Sequence, residues 1–499
     1  MKIIQSFWQS PKQPPNGGFI DLKYHLMSWT LSYLSIVKFY PTIELVSDSS
    51  GYELLISNLQ LPYKEASFNF DSNPVQDTIW TLRKLQVYAQ QDEPFLHIDG
   101  DVFIYKQITE EIEYVPLIAQ NEDINLYCYS YALNEILKRC NTLPQGIDSK
   151  TLPNGSNAGV IGGTNTAFFK KLYGIVIQFL NQNIGSLKDC DMNHLSTFLE
   201  QGCFYALAKS QGIEVRYLCD QSATEEFDLN LQDFYGIPQK TTYVHLMSSK
   251  KNFIVCEQLA QQLRLEYPDY YEKCLQTSRT LNSKHYSLKD ISYSFDNTYN
   301  RTKLILSKLG YENDLLTNQN YFNKFVSEVI NSNNSHKDVL NDVFCFEKAK
   351  TEFCSKMERR FFEEISIYEK ETFNILKKDW KKIDNILCIS YHDQFIEAEW
   401  NWVEVNEFNN QYTDPVKNLE IQAGYFKIAI LTYPNSGKIK EFALDPLSII
   451  IFEILQQPKT INEIVESLHK DFDVSKSFID QKLEDRLRFL LYNHLIRFT

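Results

Sequence analysis

The stretch Phe95-Leu96-His97-Ile98-Asp99-Gly100-Asp101-Val102-Phe103-Ile104 decides the fold. Its apolar residues run up to a pair of carboxylates and resume directly after them, which predicts a buried strand that ends at the edge of a sheet. Asp99 and Asp101 would project from the same side of an extended backbone, and Gly100 would allow the bend that lets both reach one ion. Such oxygen ligands suit Mg²⁺ or Mn²⁺. The alternative is a strand end followed by an Asp-Gly turn.

The composition of the chain indicates a globular protein of several domains. Its 499 residues are enough for roughly two to four domains. Hydrophobic residues make up 43% of the chain, which excludes a disordered protein. The net charge of −14 argues against general binding to nucleic acid or anionic membranes. The ten cysteines form no C-x-x-C pair, and neither a signal peptide nor a membrane-crossing run is found, so we expect a soluble, cytoplasmic protein.

The N-terminal residues predict a βαβ unit, and hence a parallel sheet covered by helices. A strand at Ile3-Ile4 is followed by a helical pattern that ends near Val37 and by a strand at Ile43–Val46. In such sheets, ligands bind beyond the carboxyl ends of the strands. Asp48 follows the second strand, so it could hold a ribose or a base, or it could be a solvated turn residue.

Three further segments carry polar residues that could serve a binding site. A helix predicted over Asp77–Tyr88 bears Lys84, which could reach a diphosphate or be merely solvated. The run Asn157-Ala158-Gly159-Val160-Ile161-Gly162-Gly163 lets a backbone approach a ligand closely, although a plain turn has the same composition. His245 ends an apolar stretch and is followed by Lys250-Lys251, so it could complete a metal site beside a phosphate, or it could be structural.

In this order and spacing, the motifs over residues 1–280 resemble those of a GT-A-type nucleotide-sugar glycosyltransferase, which has a Rossmann-like α/β fold. The similarity is to the retaining, glycogenin- and galactosyltransferase-like family and to a bacterial branch that opens with a similar Ile-Ile-Gln-Ser-Phe-Trp. The motifs that carry it are Asp-x-Asp at a strand end, Asn-Ala-Gly-Val-x-Gly-Gly, Glu-Gln and His-Leu-x-x-x-Lys-Lys. One departure is Ser248-Ser249, where relatives commonly carry glycine.

The resemblance implies a role for each matching residue. Asp99, Asp101 and His245 would bind Mn²⁺ or Mg²⁺, which would bridge the diphosphate of a nucleotide sugar, expected to be a UDP-sugar. The adjacent pair Glu200 and Gln201 would lie near the reacting carbon as the catalytic residues. The residues implied to bind the donor are Gln5, Asp48, Lys84, Asn157, Gly159, Gly162, Gly163, Lys250 and Lys251.

The middle of the chain, residues 281–410, predicts a helical spacer. Its first part is polar, and apolar residues then recur at threes and fours between Phe346 and Ile383. That spacing is typical of a long amphipathic helix or a helical hairpin.

Residues 411–499 predict a winged helix-turn-helix. Apolar runs on either side of Pro434–Gly437 indicate a hairpin, Asp445-Pro446 begins a helix, and Thr460 opens a capping box for the next. A third helix ends near Leu490. Residues 441–499 contain 10 acidic and 7 basic side chains, a net charge of −3 that disfavours DNA binding.

This C-terminal pattern resembles a PqqD-like recognition element, which binds the leader of a ribosomally made precursor peptide as an added strand. The resemblance implies that Ile428 and Ile430 of the hairpin and Lys482 and Arg486 of the third helix contact the leader. A plain protein-binding or dimerising module is the alternative.

The two resemblances together predict a peptide glycosyltransferase. The first domain would transfer a sugar from the nucleotide to a side chain of the precursor peptide, whose leader the last domain would hold. Nucleic acid and membranes are not expected partners. Two alternatives stay open: a non-catalytic peptide-binding scaffold on a degenerate transferase fold, and a glycan-building transferase with an unrelated tail.

Overall fold

The chain folds into two compact units, Met1–Ser283 and Lys284–Thr499. The computed structural model describes residues 1–9, 15–68, 79–108, 114–148, 153–183, 185–225, 231–281, 299–311, 319–332, 335–356, 359–378, 380–403, 405–406, 411–412, 414–433, 438–471 and 476–499. The hairpin turn predicted at Pro434–Gly437 lies outside these residues, as do the start of the helix predicted from Asp77 and parts of the spacer predicted over residues 281–410.

The first unit alternates strands and helices. Its strands are β1 (Lys2–Phe7), β2 (Ile43–Ser47), β3 (Glu65–Phe68), β4 (Phe95–Ile98), β5 (Val102–Ile104), β6 (Leu117–Ala119), β7 (Glu122–Asp123), β8 (Gly155–Ser156), β9 (Val160–Gly163), β10 (Val215–Tyr217) and β11 (Tyr243–His245). Its helices are α1 (Leu22–Val37), α2 (Ser49–Tyr52), α3 (Thr81–Ala89), α4 (Tyr127–Arg139), α5 (Thr166–Asn183), α6 (Met192–Thr197), α7 (Cys203–Ser210), α8 (Phe253–Glu266) and α9 (Pro268–Leu281), with π-helical segments at Glu53–Asn58 and Phe198–Gly202 and a 3₁₀ turn at Met247–Lys251.

A mixed sheet organises this unit, which confirms the predicted α/β class. Its strand order is β10-β6-β9-β4-β1-β2-β3, and β4, β1, β2 and β3 run parallel. Strand β9 is antiparallel to both β4 and β6. The carboxyl ends of β1, β2 and β4 therefore meet at one edge, where the polar residues that follow each strand come together.

Both faces of the sheet are buried, which explains why its strands are apolar throughout. Strand β1 is an example. Ile3 and Ile4 point to opposite faces and belong to two separate hydrophobic cores. Helix α1 covers one face with Leu26 and Leu31, while α3 and α5 cover the other. Burial of both faces fixes the position of the strand ends that carry the site.

The second unit combines three small sheets with helices. Its strands are β12 (Ile386–Ile389), β13 (Phe395–Ala398), β14 (Val405–Asn406), β15 (Gln411–Tyr412), β16 (Phe426–Tyr433), β17 (Lys438–Ala443), β18 (Lys459–Thr460) and β19 (Ile496–Phe498). Its helices are α10 (Asn300–Lys308), α11 (Gln319–Asn331), α12 (Lys337–Ser355), α13 (Arg359–Leu376), α14 (Pro446–Ile454), α15 (Ile461–Asp471) and α16 (Lys476–Tyr492), with 3₁₀ turns at Trp380–Lys382, His392–Gln394 and Pro415–Glu420. The sheet orders are β13-β16-β17, β18-β12-β19 and β14-β15.

The sheets of the second unit join the predicted middle and C-terminal segments. Strand β13 pairs with β16, and β12 pairs with both β18 and β19, so strands from each side of residue 410 share a sheet. The helical segment predicted between Phe346 and Ile383 consists mainly of α12 and α13. Across the described residues, none of the helices is both long and apolar enough to span a membrane.

Candidate functional site

The Asp99-Gly100-Asp101 turn at the end of β4 is held in place through its backbone. The amide N–H of Asp99 donates to the carbonyl oxygen of Gly159 at 2.9 Å, and Ser28 Oγ donates to the carbonyl of Gly100 at 2.8 Å. A Cβ at Gly100 would lie 2.3 Å from the Trp29 ring, so a glycine is needed for that ring to pack against the turn. These contacts hold the turn so that it presents its two carboxylates at the sheet edge.

His245 reaches the two carboxylates because β11 pairs with β5. This antiparallel pairing places His245 opposite Val102, directly after Asp101. Ligand atoms of Asp99, Asp101 and His245 all lie within 4.8 Å of one another, with 3.5 Å between His245 Nε2 and Asp101 Oδ2. The structure thus brings together the three residues predicted as metal ligands.

Two lysines contact this cluster. Lys250 Nζ lies 2.7 Å from Asp101 Oδ2, and Lys84 Nζ lies 3.0 Å from Asp99 Oδ1. Burial alone would raise the pKa of Asp101, but the positive charge of Lys250 and the neighbouring His245 outweigh it, so this pKa lies below its usual range. Asp101 is consequently a carboxylate, the form that binds a cation.

Lys84 also joins the cluster to Glu200. Its ammonium group is 2.9 Å from Glu200 Oε1, which accepts a second hydrogen bond from the Tyr88 hydroxyl at 2.7 Å. Burial lowers the pKa of Lys84, but the adjacent carboxylates of Asp99 and Glu200 outweigh burial and raise it. Burial is the main cause that raises the pKa of Glu200. Glu200 is fully buried behind Lys84.

The pair Glu200 and Gln201 lies in the π-helical segment Phe198–Gly202. The wider turn of a π-helix is frequent at functional sites, because it displaces side chains from the regular helical positions. Of the two residues, Gln201 lines the cavity described next, whereas Glu200 faces Lys84 and Tyr88.

The cluster opens into a cavity of about 1080 Å³. Its wall combines residues that follow β1 and β4, the N-terminal parts of α1 and α3, the segment after β6, helix α6 and the turn after β11. The lining residues include Trp8, Trp80, Lys84, Asp99, Asp101, Asp123, Tyr129, Asn157, Gly159, Gln201, His245, Lys250 and Lys251. A site that joins ion ligands, cations and aromatic rings in one concave surface has the composition of a ligand-binding site.

The donor set fits a divalent cation. Two carboxylates and one imidazole converge here. The carboxylates of Asp99, Asp101 and Glu200 contact only two ammonium groups, those of Lys84 and Lys250, which leaves an excess of negative charge. Oxygen ligands with one imidazole suit Mn²⁺ or Mg²⁺.

Among the predicted donor-binding glycines, only Gly159 lines the cavity in the described part of the chain. A Cβ at Gly159 would lie 2.4 Å from Gln120 Oε1 and 2.5 Å from His245 Cε1, so this glycine makes room for the histidine. Gly162 and Gly163 lie in β9, where a Cβ would approach the backbone oxygens of Phe95 and Pro116 to within about 2.2 Å. These two glycines allow close packing of the sheet.

Asp48 and Gln5 serve local structure. Asp48 caps α2, accepting from the amide of Gly51 at 2.8 Å, and also accepts from the amide of Gln9 at 3.3 Å. Gln5 is fully buried and bonds to Ser32 and Tyr63 beneath the sheet edge. Neither side chain belongs to the cavity wall.

The residues predicted to bind a leader peptide lie in the second unit. Ile428 and Ile430 are fully buried in its core on β16, the middle strand of its sheet. Lys482 is exposed on α16. Arg486 forms an ion pair with Asp445, the residue that caps α14.

Sequence reasoning missed the segment Gln120–Asp123 and Tyr129. Gln120 contacts His245, and Asp123 and Tyr129 line the cavity. The signal was available, because the apolar run Leu117–Ala119 ends in consecutive polar residues just as β4 does. A polar run after a short strand is common, however, and its neighbours become known only from the sheet order.

The model of DUF6734, a family of unknown function, matches residues 1–277. No curated protein matches the sequence. Among solved structures, the chain is similar to the crystal structure of mouse xyloside xylosyltransferase 1 in its apo form, with 13% sequence identity, coverage of 49% of this chain and 96% of that chain, and a TM-score of 0.28. A similarity of this size leaves the activity to be argued from the site itself.

Proposed function

The chain belongs to DUF6734, whose function is unknown, and we propose that it is a metal-dependent glycosyltransferase of the GT-A type that uses a nucleotide sugar, expected to be a UDP-sugar. One observation carries the proposal: the ligand atoms of Asp99, Asp101 and His245 converge beside Lys84 and Lys250 in a cavity at the carboxyl edge of the sheet. A diphosphate with its divalent cation is the ligand that needs both kinds of group.

A divalent cation held by Asp99, Asp101 and His245 would neutralise the charge that gathers on the departing nucleoside diphosphate. Lys250 and Lys251 line the same cavity. Lys250 contacts Asp101 at 2.7 Å, so its ammonium group would also reach a diphosphate bound there. Lysine acts here as a point charge that requires no proton transfer.

Gln201 and Lys84 would face the sugar. Both line the cavity, and Lys84 is held between Asp99 and Glu200 at about 3 Å from each. We assign Glu200 the role of fixing Lys84, because its carboxyl group is fully buried and bonded to Lys84 and Tyr88. Gln201 remains the member of the pair that can contact the donor.

The proposed acceptor is a side chain of a ribosomally made precursor peptide whose leader binds the second unit, as PqqD-like elements do. The order β16, β17, α14, α15, α16 supports this, since a hairpin followed by three helices is the order of a winged helix-turn-helix. Phe442 of β17 packs on Phe489 of α16 with ring centroids 5.0 Å apart. Strand β16 is paired on both sides, so a leader would add to the outer edge of β17. Holding the leader would raise the effective concentration of the acceptor.

Calorimetric titration of UDP-sugars in the presence of Mn²⁺ tests the transferase. We expect binding that requires Mn²⁺ and that Asp101→Asn abolishes, because removing one carboxylate takes away a metal ligand. Asp92→Asn is the matched control, since Asp92 is 83% exposed and pairs only with Lys170 among the contacts described. If the folded wild-type chain binds no nucleotide sugar, the transferase is excluded and a peptide-binding scaffold is the better account. Protection of β17 amides from exchange by a leader peptide tests the acceptor separately.

A further inference from the structure

A chain of buried hydrogen bonds connects a backbone carbonyl to the candidate metal ligand His245. Assuming the metal site of the proposed function, we propose that Gln120, Asn121 and Asp123 are positioning residues that put the proton of His245 on Nδ1 and leave Nε2 to bind the cation. Gln120, Asn121, Asp123 and His245 are at most 6% exposed, so a mismatched polar atom among them would have little access to water.

The chain starts at Asn121, whose amide orientation is fixed by two groups that can only accept. One end of this amide lies 3.1 Å from the carbonyl oxygen of Glu122 and 2.7 Å from Asp123 Oδ1. A backbone carbonyl and a carboxylate both need a donor, so this end must be the NH₂ group. The Asn121 oxygen therefore faces the other way, towards Gln120.

The orientation of Gln120 follows from that of Asn121. The Gln120 amide lies 2.9 Å from Asn121 Oδ1, so it must direct its NH₂ group there. Its oxygen Oε1 then faces His245 Nδ1 at 2.6 Å and the Tyr243 hydroxyl at 2.6 Å. Tyr243 donates its proton to this oxygen, and His245 must do the same.

This settles the tautomer of a neutral His245. Because Gln120 Oε1 can only accept, Nδ1 carries the proton and Nε2 carries the lone pair. Nε2 is the atom that lies 3.5 Å from Asp101 Oδ2. A hydrogen bond from the other ring nitrogen is the usual way in which proteins orient a metal-binding histidine. Gly159 leaves the space in which the imidazole and the Gln120 amide meet.

The opposite end of the chain orients Gln201. The Tyr129 hydroxyl oxygen lies 2.6 Å from Asp123 Oδ2 and 2.6 Å from the amide end of Gln201, but it has one proton to donate. The carboxylate takes that proton, so Gln201 must direct its NH₂ group at Tyr129 and leave its carbonyl oxygen for the cavity. One hydrogen-bonded chain thus presents a lone pair at each end of the site.

The tautomer can be read directly from ¹⁵N chemical shifts and long-range N–H couplings of His245 in the full-length protein without metal, with His245→Ala assigning the signals. We expect the proton on Nδ1, and a proton on Nε2 of the neutral ring would overturn the proposal. This measurement requires neither metal nor substrate. It therefore stands even if the chain fails to bind nucleotide sugars.

Mn²⁺ affinity of the same protein tests the consequence. Gln120→Leu should weaken Mn²⁺ binding by about 10- to 100-fold, the usual effect of losing a hydrogen bond to a metal-binding histidine. Gln91→Leu is the matched control, since Gln91 is also buried in the first unit and bonds to the carbonyl of Val87.

A double-mutant cycle distinguishes positioning from a general loss of structure. In a His245→Ala background, Gln120→Leu should have no further effect on Mn²⁺ affinity, because the side chain through which it acts is gone. Equal Mn²⁺ affinities for Gln120→Leu and Gln91→Leu would contradict the proposal, as would a full additional loss in the His245→Ala background.

Discussion

Each unit of this chain contains a cluster of largely buried charged side chains. The two clusters differ in how far their carboxylates are balanced by cations. The cluster of the first unit consists of Asp99, Asp101, Glu200, Lys84 and Lys250, and that of the second unit of Glu347, Glu441, Arg301 and Lys350. Two carboxylates meet two cations in the second cluster, whereas three carboxylates meet two cations in the first.

The two carboxylates of the second cluster are held by hydrogen bonds from their neighbours. Glu347 accepts from the backbone amides of Arg301 and Thr302, both at 3.0 Å, and Glu441 accepts from Arg301 at 2.5 Å and from Lys350 at 2.6 Å. Burial opposes ionisation of Glu441, but Lys350 and Arg301 outweigh it and hold the pKa of Glu441 below its usual range. This cluster ties α10 and α12 to β17.

The first cluster instead directs lone pairs into a cavity. Asp101 and His245 converge at 3.5 Å, too far apart for a strong hydrogen bond, and both line the cavity wall. Buried charge by itself therefore does not indicate a binding site. An excess of one sign, with ligand atoms converging on open space, does.

The largest effect should come from removing one carboxylate of the second cluster. Glu441→Gln leaves Arg301 and Lys350 without their shared carboxylate, so the second unit should lose about 3 kcal/mol of its free energy of unfolding. Hydrogen exchange measured on peptides of each unit in the full chain reports this loss. Glu397→Gln is the control, because the Glu397 side chain is 65% exposed and its 3.6 Å pairing with Lys427 should contribute under about 1 kcal/mol. A change in Mn²⁺ affinity would show that the clusters are not independent.

The next largest effect should come from adding Mn²⁺, which should stabilise only the first unit. At Mn²⁺ concentrations of about 100 times the dissociation constant, the first unit should gain about 2.7 kcal/mol in free energy of unfolding, because the ion binds only its folded state. The second unit should gain nothing. Exchange of the β4, β5 and β11 amides with and without Mn²⁺ measures the difference. Equal protection of both units would mean that Mn²⁺ does not bind at Asp99, Asp101 and His245.

The smallest effect concerns the space around His245. Gly159→Ala places a methyl group against Gln120 and the imidazole, so Mn²⁺ affinity should fall by about tenfold as the histidine is displaced. Gly174→Ala in α5 is the matched control, since nothing lies within 4 Å of its added Cβ. Unchanged Mn²⁺ binding by Gly159→Ala would show that this contact does not position the ligand.

The sequence and the structure agree where the pattern is local. Strand β4 and the turn Asp99–Asp101 follow from an apolar run and two carboxylates, and the βαβ start of the chain follows from its periodicity. Asp48 shows the limit of such reasoning, because a carboxylate after a strand can equally cap a helix, as it does here for α2. The two uses have the same sequence pattern.

The sequence by itself predicted the α/β class and the strand that ends in the carboxylates Asp99 and Asp101, since burial of both sheet faces dictates apolar strands that end in polar residues. His245 entered the predicted metal site only through the resemblance to a glycosyltransferase family. Only the tertiary structure decided which polar groups meet. The pairing of β5 with β11 brings His245 to Asp101, and burial turns Glu200 away from the cavity towards Lys84. Strand pairing and burial depend on contacts between residues far apart in the chain, which no local pattern contains.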